Sequence, residues 1–317
     1  MKKMNTSLKK VRDTRYFTVL MVLILLIIIA SIISPKFLSL SNIVNVLRQV
    51  SISGILALGM TFILITGGID LSVGAVIGVV SVVTAKMLSI GVNPFLCITA
   101  SLAIGLIVGL VNGLGVAKFG IVAFIMTLGT QTMFRGVSLL IANGSPISWR
   151  DSGMKFEFMG KGELWGVPVP VFIFLIVLVI SHIILEYTHY GRAVYAIGDS
   201  RETARLSGIN VVKTEIITYI LCSSLAVLSA LVLLSRLSVG EPQGGEGSEL
   251  DAIAMSVIGG TSTAGGTGGV VGTFIGAALL SVLSVLLNLM GVSPFVQQIA
   301  KGIVILFAVF IDSRNKK

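Results

Sequence analysis

Apolar residues in this chain come in long unbroken runs rather than alternating with polar ones, and short polar, charged segments separate the runs. A helix needs ~20 apolar residues to cross a hydrocarbon core, because an unpaired backbone amide or carbonyl in lipid costs several kcal/mol. Runs of that length lie at 16–35, 49–69, 71–90, 95–117, 121–142, 167–185 and 216–235. The first follows Lys2, Lys3, Lys9, Lys10, Arg12 and Arg15 in the manner of a secretory signal. Its apolar stretch is longer than a signal's and no small-x-small cleavage site follows, so it predicts a retained helix. The stretch 252–300 carries no charge over 49 residues, more than two membrane thicknesses of helix, so the chain must cross, turn and recross there. Eight glycines between Gly259 and Gly276 mark the break, each costing an interior helix ~1 kcal/mol relative to Ala. The pattern predicts a short crossing at 252–264, a long one at 270–290 and a last at 295–311. The fold class expected is therefore all-α, a polytopic membrane bundle of about ten helices in one domain over 1–317. An eight-span version with a re-entrant loop is the variant.

Composition narrows this further. Hydrophobic residues make up 55% of the 317 and charged residues 12%, against ~25% charged in soluble domains. With a mean hydropathy of +1.01, most of the surface must face lipid. The net charge of +9 does not indicate nucleic acid, because the basic residues sit in short segments between apolar runs rather than on one wetted face. Cys97 and Cys222 lie far apart in apolar stretches and form no disulfide or metal pattern.

Lys and Arg favour cytoplasmic loops. With ten crossings and a cytoplasmic N-terminus, fourteen of the 23 fall inside: the six N-terminal ones, Lys118, Arg192, Arg201, Arg205, Lys213, Arg314, Lys316 and Lys317. Outside lie the mixed segment 143–166 and the purely acidic segment 239–251. Both termini are then cytoplasmic, and nine crossings would strand the basic C-terminus outside.

Small residues every fourth position let helices approach closely. Gly105, Gly109 and Gly113 form one such face, Gly268, Gly272 and Gly276 another, and Gly74 and Gly78 a shorter one. The string from Thr66 to Gly74 interrupts two apolar runs with Gly67, Gly68, Asp70 and Ser72. A glycine stop followed by Asp70 capping the next helix explains it. Together with the glycines at 259–269 it also makes a pair of broken segments in corresponding positions, which in transporters flag a substrate pathway. Asn112, Gln131 and Asn288 are further pathway candidates, with Gln297 and Gln298 as polar amides at membrane depth; neighbouring helices offer such amides an alternative partner. Arg135 and Lys301 need a cavity or a partner, whereas Lys86 and Arg236 can snorkel at helix ends. His182 and His189 have no carboxylate in register.

No phosphate-binding G-x-x-x-x-G-K-[ST], no G-x-S-x-G and no H-E-x-x-H occurs. Neither a catalytic residue nor a metal site is expected. The largest polar island, 187–213, reads as loop, short helix, loop: Ser200 caps, Glu202-Thr203-Ala204-Arg205-Leu206 forms helix and Gly208 ends it. A short helix lying across the membrane face suits a partner protein.

Three strings resemble one family: Gly67-Gly68-Ile69-Asp70-Leu71-Ser72-Val73-Gly74; the segment 191–210 with Gly191, Arg192, Ala196, Gly198, Ala204, Arg205, Leu206 and Gly208; and Glu249-Leu250-Asp251-Ala252-Ile253-Ala254 followed by Gly259-Gly260-Thr261-Ser262. They are similar to the permeases of bacterial ABC sugar importers, the ribose, xylose and galactoside group, over nearly the whole chain. The resemblance implies a plasma (inner) membrane subunit that pairs with a second copy of itself. It would dock ATP-binding cassette ATPases through the 187–213 loop and receive sugar from an extracytoplasmic binding protein. ATP would be bound by the partners and the chain would need no cofactor. In that reading Gly191, Arg192, Ala196, Gly198, Glu202, Ala204, Arg205, Leu206 and Gly208 couple to the ATPase. Asn143-Gly144-Ser145-Pro146 and Leu206-Ser207-Gly208-Ile209-Asn210 bring it nearest to the ribose permeases. Asp199-Ser200, Ser248 and Gly240-Glu241-Pro242-Gln243-Gly244-Gly245 depart from the family pattern, which bears on sugar identity and binding-protein pairing more than on the transport class. A secondary sugar carrier, or an importer for xylose, galactose or a small polyol, fits composition and topology equally well.

Overall fold

The computed structural model describes residues 16–314. The basic clusters at Lys2 to Arg15 and at Lys316–Lys317, which carry much of the orientation argument, lie outside the described residues. The apolar runs become α1 (Phe17–Ile33), α2 (Leu40–Ile65), α3 (Val73–Ser89), α4 (Pro94–Gly113), α5 (Ala123–Ala142) and α6 (Val169–Tyr187). After α7 (His189–Asp199) and α8 (Arg201–Leu206) come α9 (Val211–Leu237), α10 (Ser248–Ile258), α11 (Val270–Leu289) and α12 (Pro294–Arg314). Among the described residues, α2, α4, α5, α6, α9 and α11 are long and apolar enough to cross a membrane, and α1 and α3 are shorter apolar helices. Local chemistry sets the ends. Asn93 accepts from the Phe95 amide at 2.8 Å ahead of Pro94, which starts α4. Asn143 closes α5 in the left-handed region at φ 53°, with the Gly144 amide returning to the Leu139 carbonyl.

The helices alternate in direction between two faces. One face gathers 187–213 with the segment after α4 and the C-terminal end of α2, since Arg201 donates to the Ala117 carbonyl and Gly198 lies against the Ile65 carbonyl. The opposite face gathers 143–166, where Ile147–Ser148 pairs antiparallel with Val239–Gly240 and Arg48 bridges to Glu163 at 2.9 Å.

Helix α9 is the spine, packed by α4, α2 and α3. Glycines set that packing. Added Cβ atoms at Gly109 and Gly113 would lie 2.5 Å and 2.8 Å from the Cα atoms of Ile220 and Ile216, and one at Gly59 of α2 would lie 3.2 Å from Cys222 Cα. The backbones are therefore in direct contact, which supplies dispersion and weak C–H to carbonyl contacts where lipid offers no hydrophobic gain. Gly272 and Gly276 of α11 do the same against Gly259 and Met255, whereas Gly268 lies ahead of that helix and meets Thr261.

Two departures from the simple reading of the sequence matter for function. The segment 187–200 is helical as α7, not a loop: Thr188 caps it by accepting from Gly191, whose bare Cα sits under the carbonyls of Ile184 and Leu185. Glycines at 191 and 198 suggest a loop by propensity, yet they serve close approach. The short crossing is only 11 residues, about 16 Å of helix, half a hydrocarbon core. The other half is the non-helical segment 239–247, which descends along α3 from Ala85 past Ser81 and Gly78 to Gly74.

Gly109→Ala should lower the thermal unfolding midpoint in detergent by the equivalent of ~1–3 kcal/mol of overpacking. Gly302→Ala, where an added Cβ meets nothing within 4 Å, should be neutral or gain ~0.5–1 kcal/mol from helix propensity. Equal shifts would contradict the packing account.

Candidate functional site

Both broken segments meet inside the bundle. After α2 the chain turns through 66–72, and Asp70 accepts from the Ser72 amide at 2.9 Å and from the Ser72 hydroxyl at 2.6 Å. Asp70 thus closes a turn one step ahead of α3, and Ser72, not Asp70, occupies the cap position. The turn lies deep: an added Cβ at Gly68 would stand 3.0 Å from the hydroxyl of Tyr219, eight residues or about 12 Å along α9.

From Ser72 the polar contacts continue. Asn112 of α4 donates to the Ser72 hydroxyl at 2.8 Å and accepts from Thr130 of α5 at 2.8 Å. Asp70, Ser72 and Asn112 are wholly buried. A buried amide costs little only when both its ends are engaged, and this arrangement engages both. The next residue, Gln131, donates to Glu249 at the start of α10 at 3.0 Å. The polar contacts thus run from the 66–72 turn through Asn112 to Thr130, and the next residue of α5 reaches Glu249 at the foot of the 239–247 segment.

Above Glu249, the segment 239–247 needs partners for its carbonyls, because non-helical backbone at membrane depth survives only where protein or water satisfies it. Arg135 donates to the Pro242 and Gly244 carbonyls at 3.0 Å and 3.1 Å. Ser138 donates to Pro242 at 2.9 Å, and Ser81 to Glu241 at 3.1 Å. The Gly74 and Gly78 face of α3 is where this segment seats, so those glycines serve the dip rather than a helix pair. Below, the hydroxyls of Thr61, Ser256 and Thr273 staple α2, α10 and α11, with Thr61 and Thr273 2.6 Å apart. Lys301 pairs with Asp251 at 2.7 Å across α12 and α10.

At the 187–213 face the two interruptions touch again. A Cβ on Gly198 of α7 would strike the Ile65 carbonyl and the Gly266 amide, which are themselves hydrogen-bonded at 2.9 Å, and Gly67 lies beside the Ala264 carbonyl. The Tyr195 hydroxyl donates to the Gly268 carbonyl at 3.0 Å. One helix thus rests on both breaks at once.

The residues singled out for coupling divide by exposure. Ala204 is 2% exposed and packs with Ile197 and Val211, and Gly191 is buried. Ala196 and Gly198 are half-buried, while Arg192, Glu202, Arg205, Leu206 and Gly208 face outward, Leu206 being 75% exposed. Glu202 and Arg205 pair at 2.7 Å, and the guanidinium holds the Glu202 carboxyl below its usual range, so the pair stays ionised at neutral pH. Ser200 caps α8 as its position suggests, and Gly208 adopts φ +83° beyond its end. Among the pathway candidates Gly67, Gly68, Asp70, Ser72, Asn112 and Gln131 lie along the line just described. Asn288 stands apart, accepting from Gln297 in the α11–α12 hairpin. Thr130, Glu249 and Ser138 belong to the line as well, and Thr130 and Ser138 falling on one face of α5 is the sequence signal for two of these contacts. No group of three or more His, Cys, Asp or Glu residues able to hold a metal occurs among the described residues.

Comparison with known proteins fits this geometry. The family described as "Branched-chain amino acid transport system / permease component" matches residues 42–309. The ribose import permease protein of Escherichia coli (strain K12) is 43% identical over 316 residues, 96% of this chain and 98% of that one. The ribose import permease protein of Bacillus subtilis (strain 168) is 45% identical over 293 residues, 92% of this chain and 91% of that one. The xylose transport system permease protein of Escherichia coli (strain K12) is 35% identical over 341 residues, 89% and 87% of the two chains. No solved structure matches.

Asn112→Ala should destabilise the protein by ~1–3 kcal/mol, since it strips partners from the buried Ser72 and Thr130 hydroxyls. Asn288→Ala, at an exposed position, should shift the unfolding midpoint by no more than ~0.5 kcal/mol. Thermal unfolding of both variants in detergent checks the contrast.

Proposed function

Since the chain belongs to a family of membrane permease components of import systems, we propose that it is the transmembrane permease subunit of an ATP-driven importer for ribose. The observation that carries this reading is the 43–45% identity to ribose import permeases over 92–96% of the chain. Xylose, at 35% identity, is the related alternative. The family's description mentions branched-chain amino acids, but the relatives matching nearly end to end are sugar permeases.

The reading places the 187–213 face in the cytoplasm, together with both termini, and the chain in the bacterial inner membrane. Partner ATPases bind ATP and dock on the outward side of α8 through Leu206, the Glu202–Arg205 pair and Arg192; the permease itself does no hydrolysis and carries no cofactor. A binding protein delivers sugar to the opposite face. A second copy covers α5, the least buried of the six long helices, whose Gly129 and Gly136 are open to close approach.

Mechanism follows from the contacts. When the ATPases close, α8 and α7 move together, since Ile197, Ala204 and Val211 form one apolar cluster. Gly198 presses on Ile65 and Gly266, so the 66–72 turn and the 260–268 loop shift with it. The line through Ser72, Asn112, Thr130, Gln131 and Glu249 carries that shift to α5 and the dip. The permease supplies two arrangements, and nucleotide on its partners selects between them.

Two variants separate docking from transmission. Leu206→Asp places a charge on an exposed apolar contact and should cut ATP-dependent ribose uptake by at least tenfold through lost ATPase binding. Gly198→Val should leave the ATPase bound and cut uptake similarly, with ATP hydrolysis no longer stimulated by sugar-loaded binding protein. Ala204→Asp is the poorer probe because it buries a charge. Uptake unaffected in both Leu206→Asp and Gly198→Val would overturn the coupling assignment.

A further inference from the structure

Arg135 is the thirteenth residue of α5, about 18 Å along a helix of roughly 30 Å. A guanidinium at such depth must face protein or water rather than lipid. Two of its contacts hold the dip, but its Nη2 is buried with no hydrogen-bond partner among the described residues. Beside it, where the dip meets α5, opens a cleft of about 430 Å³ lined by Gln131, Thr132, Arg135, Leu139, Gln243 and Glu246. Small-molecule sites fall in the range ~300–1,000 Å³. The smaller cavity between α2, α9 and α10, bordered by Gln49, Ser53 and Asp251, is about 100 Å³, below that range.

The cleft's chemistry is specific. Each sugar hydroxyl both donates and accepts. Gln131 and Gln243 offer both functions, Thr132 adds a hydroxyl, Arg135 donates and Glu246 accepts. One positive and one negative side chain leave the lining without net charge, which disfavours an ionic solute. Leu139 is its one apolar side chain, so a branched hydrocarbon side chain would find little to bury against. The cleft lies over Glu249 and Gln131, at the upper end of the polar line that leads to Gly198. We infer that this cleft recognises the transported solute, and that it selects a neutral polyhydroxylated molecule of pentose size over an amino acid with a branched apolar side chain. The inference rests on the transport reading above and assigns Gln243 and Glu246, both exposed in the dip, as specificity-determining residues.

The test uses the assembled importer in proteoliposomes, permease with its ATPase and binding protein. Cys97 and Cys222 are buried, so a cysteine introduced in the cleft is the accessible thiol among the described residues. Gln243→Cys should react with a membrane-impermeant thiol reagent, and saturating D-ribose should slow the reaction at least threefold while L-leucine leaves it unchanged. Thr132→Cys gives the same reading on the other wall should the first variant fail to assemble. Glu246→Gln should reduce ATP-driven ribose uptake at least fivefold. Labelling rates indifferent to ribose, or slowed equally by leucine, overturn the cleft assignment while leaving unaltered importer still taking up ribose. Ribose protection without any ATP-driven uptake by the unaltered complex overturns the transport reading instead.

Discussion

The structure depends on one constraint: backbone that leaves the helix inside a membrane must find its hydrogen bonds from the protein. The segment 239–247 crosses about half the bundle without helical bonds, and Arg135, Ser138 and Ser81 supply donors to the carbonyls of Pro242, Gly244 and Glu241. Much else follows from that need. α3 must present a face without side chains, which Gly74 and Gly78 provide, so that the dip lies close enough to be bonded. α5 must carry a cation at a depth where lipid would reject it, so that helix can only face a polar partner there. A feature that composition marks as a cost is what makes a broken crossing tenable.

The break at 66–72 is held by a different device. Asp70 organises its own turn and passes hydrogen bonds on through Ser72, Asn112 and Thr130, so that three helices share one buried network. The 66–72 turn and the 260–268 loop then both come within reach of α7 at Gly198, where a missing side chain lets three backbones meet. A rigid helix resting on two interrupted crossings transmits a push more faithfully than a flexible loop, and this gives the glycine at 198 a mechanical reason to be there.

Most of the architecture was legible from the sequence because lipid imposes a length rule that charge-free runs display directly. The boundary at Ser200 carried recognisable cap chemistry, and the Gly105-Gly109-Gly113 face announced a close helix contact. Other features were hidden for physical reasons. Gly191 and Gly198 look like loop residues because propensity knows nothing of the carbonyls packed against them. The charge-free stretch after 252 hides that α10 is too short to cross, since its missing half is the polar, acidic segment ahead of it. Asn112 and Asn288 are the same residue type at similar depth in their runs, and nothing in one dimension tells which faces Ser72 and which faces a hairpin. Glu249 reads as an exposed acid until the dip carries it inward to Gln131. Ala204 and Leu206 sit in one short helix, and only its packing on Val211 decides which is core and which is handle.

The central claim is that the cap formed by α7 and α8 moves both breaks and the dip as one unit. Hydrogen exchange of the assembled importer, with its ATPases empty and then trapped with a non-hydrolysable nucleotide, tests this most directly. The account predicts that amides in 66–72, 240–247 and 260–268 change protection together with those of 189–208. Nucleotide-dependent change confined to 189–208, with the two breaks and the dip unaltered, would contradict it.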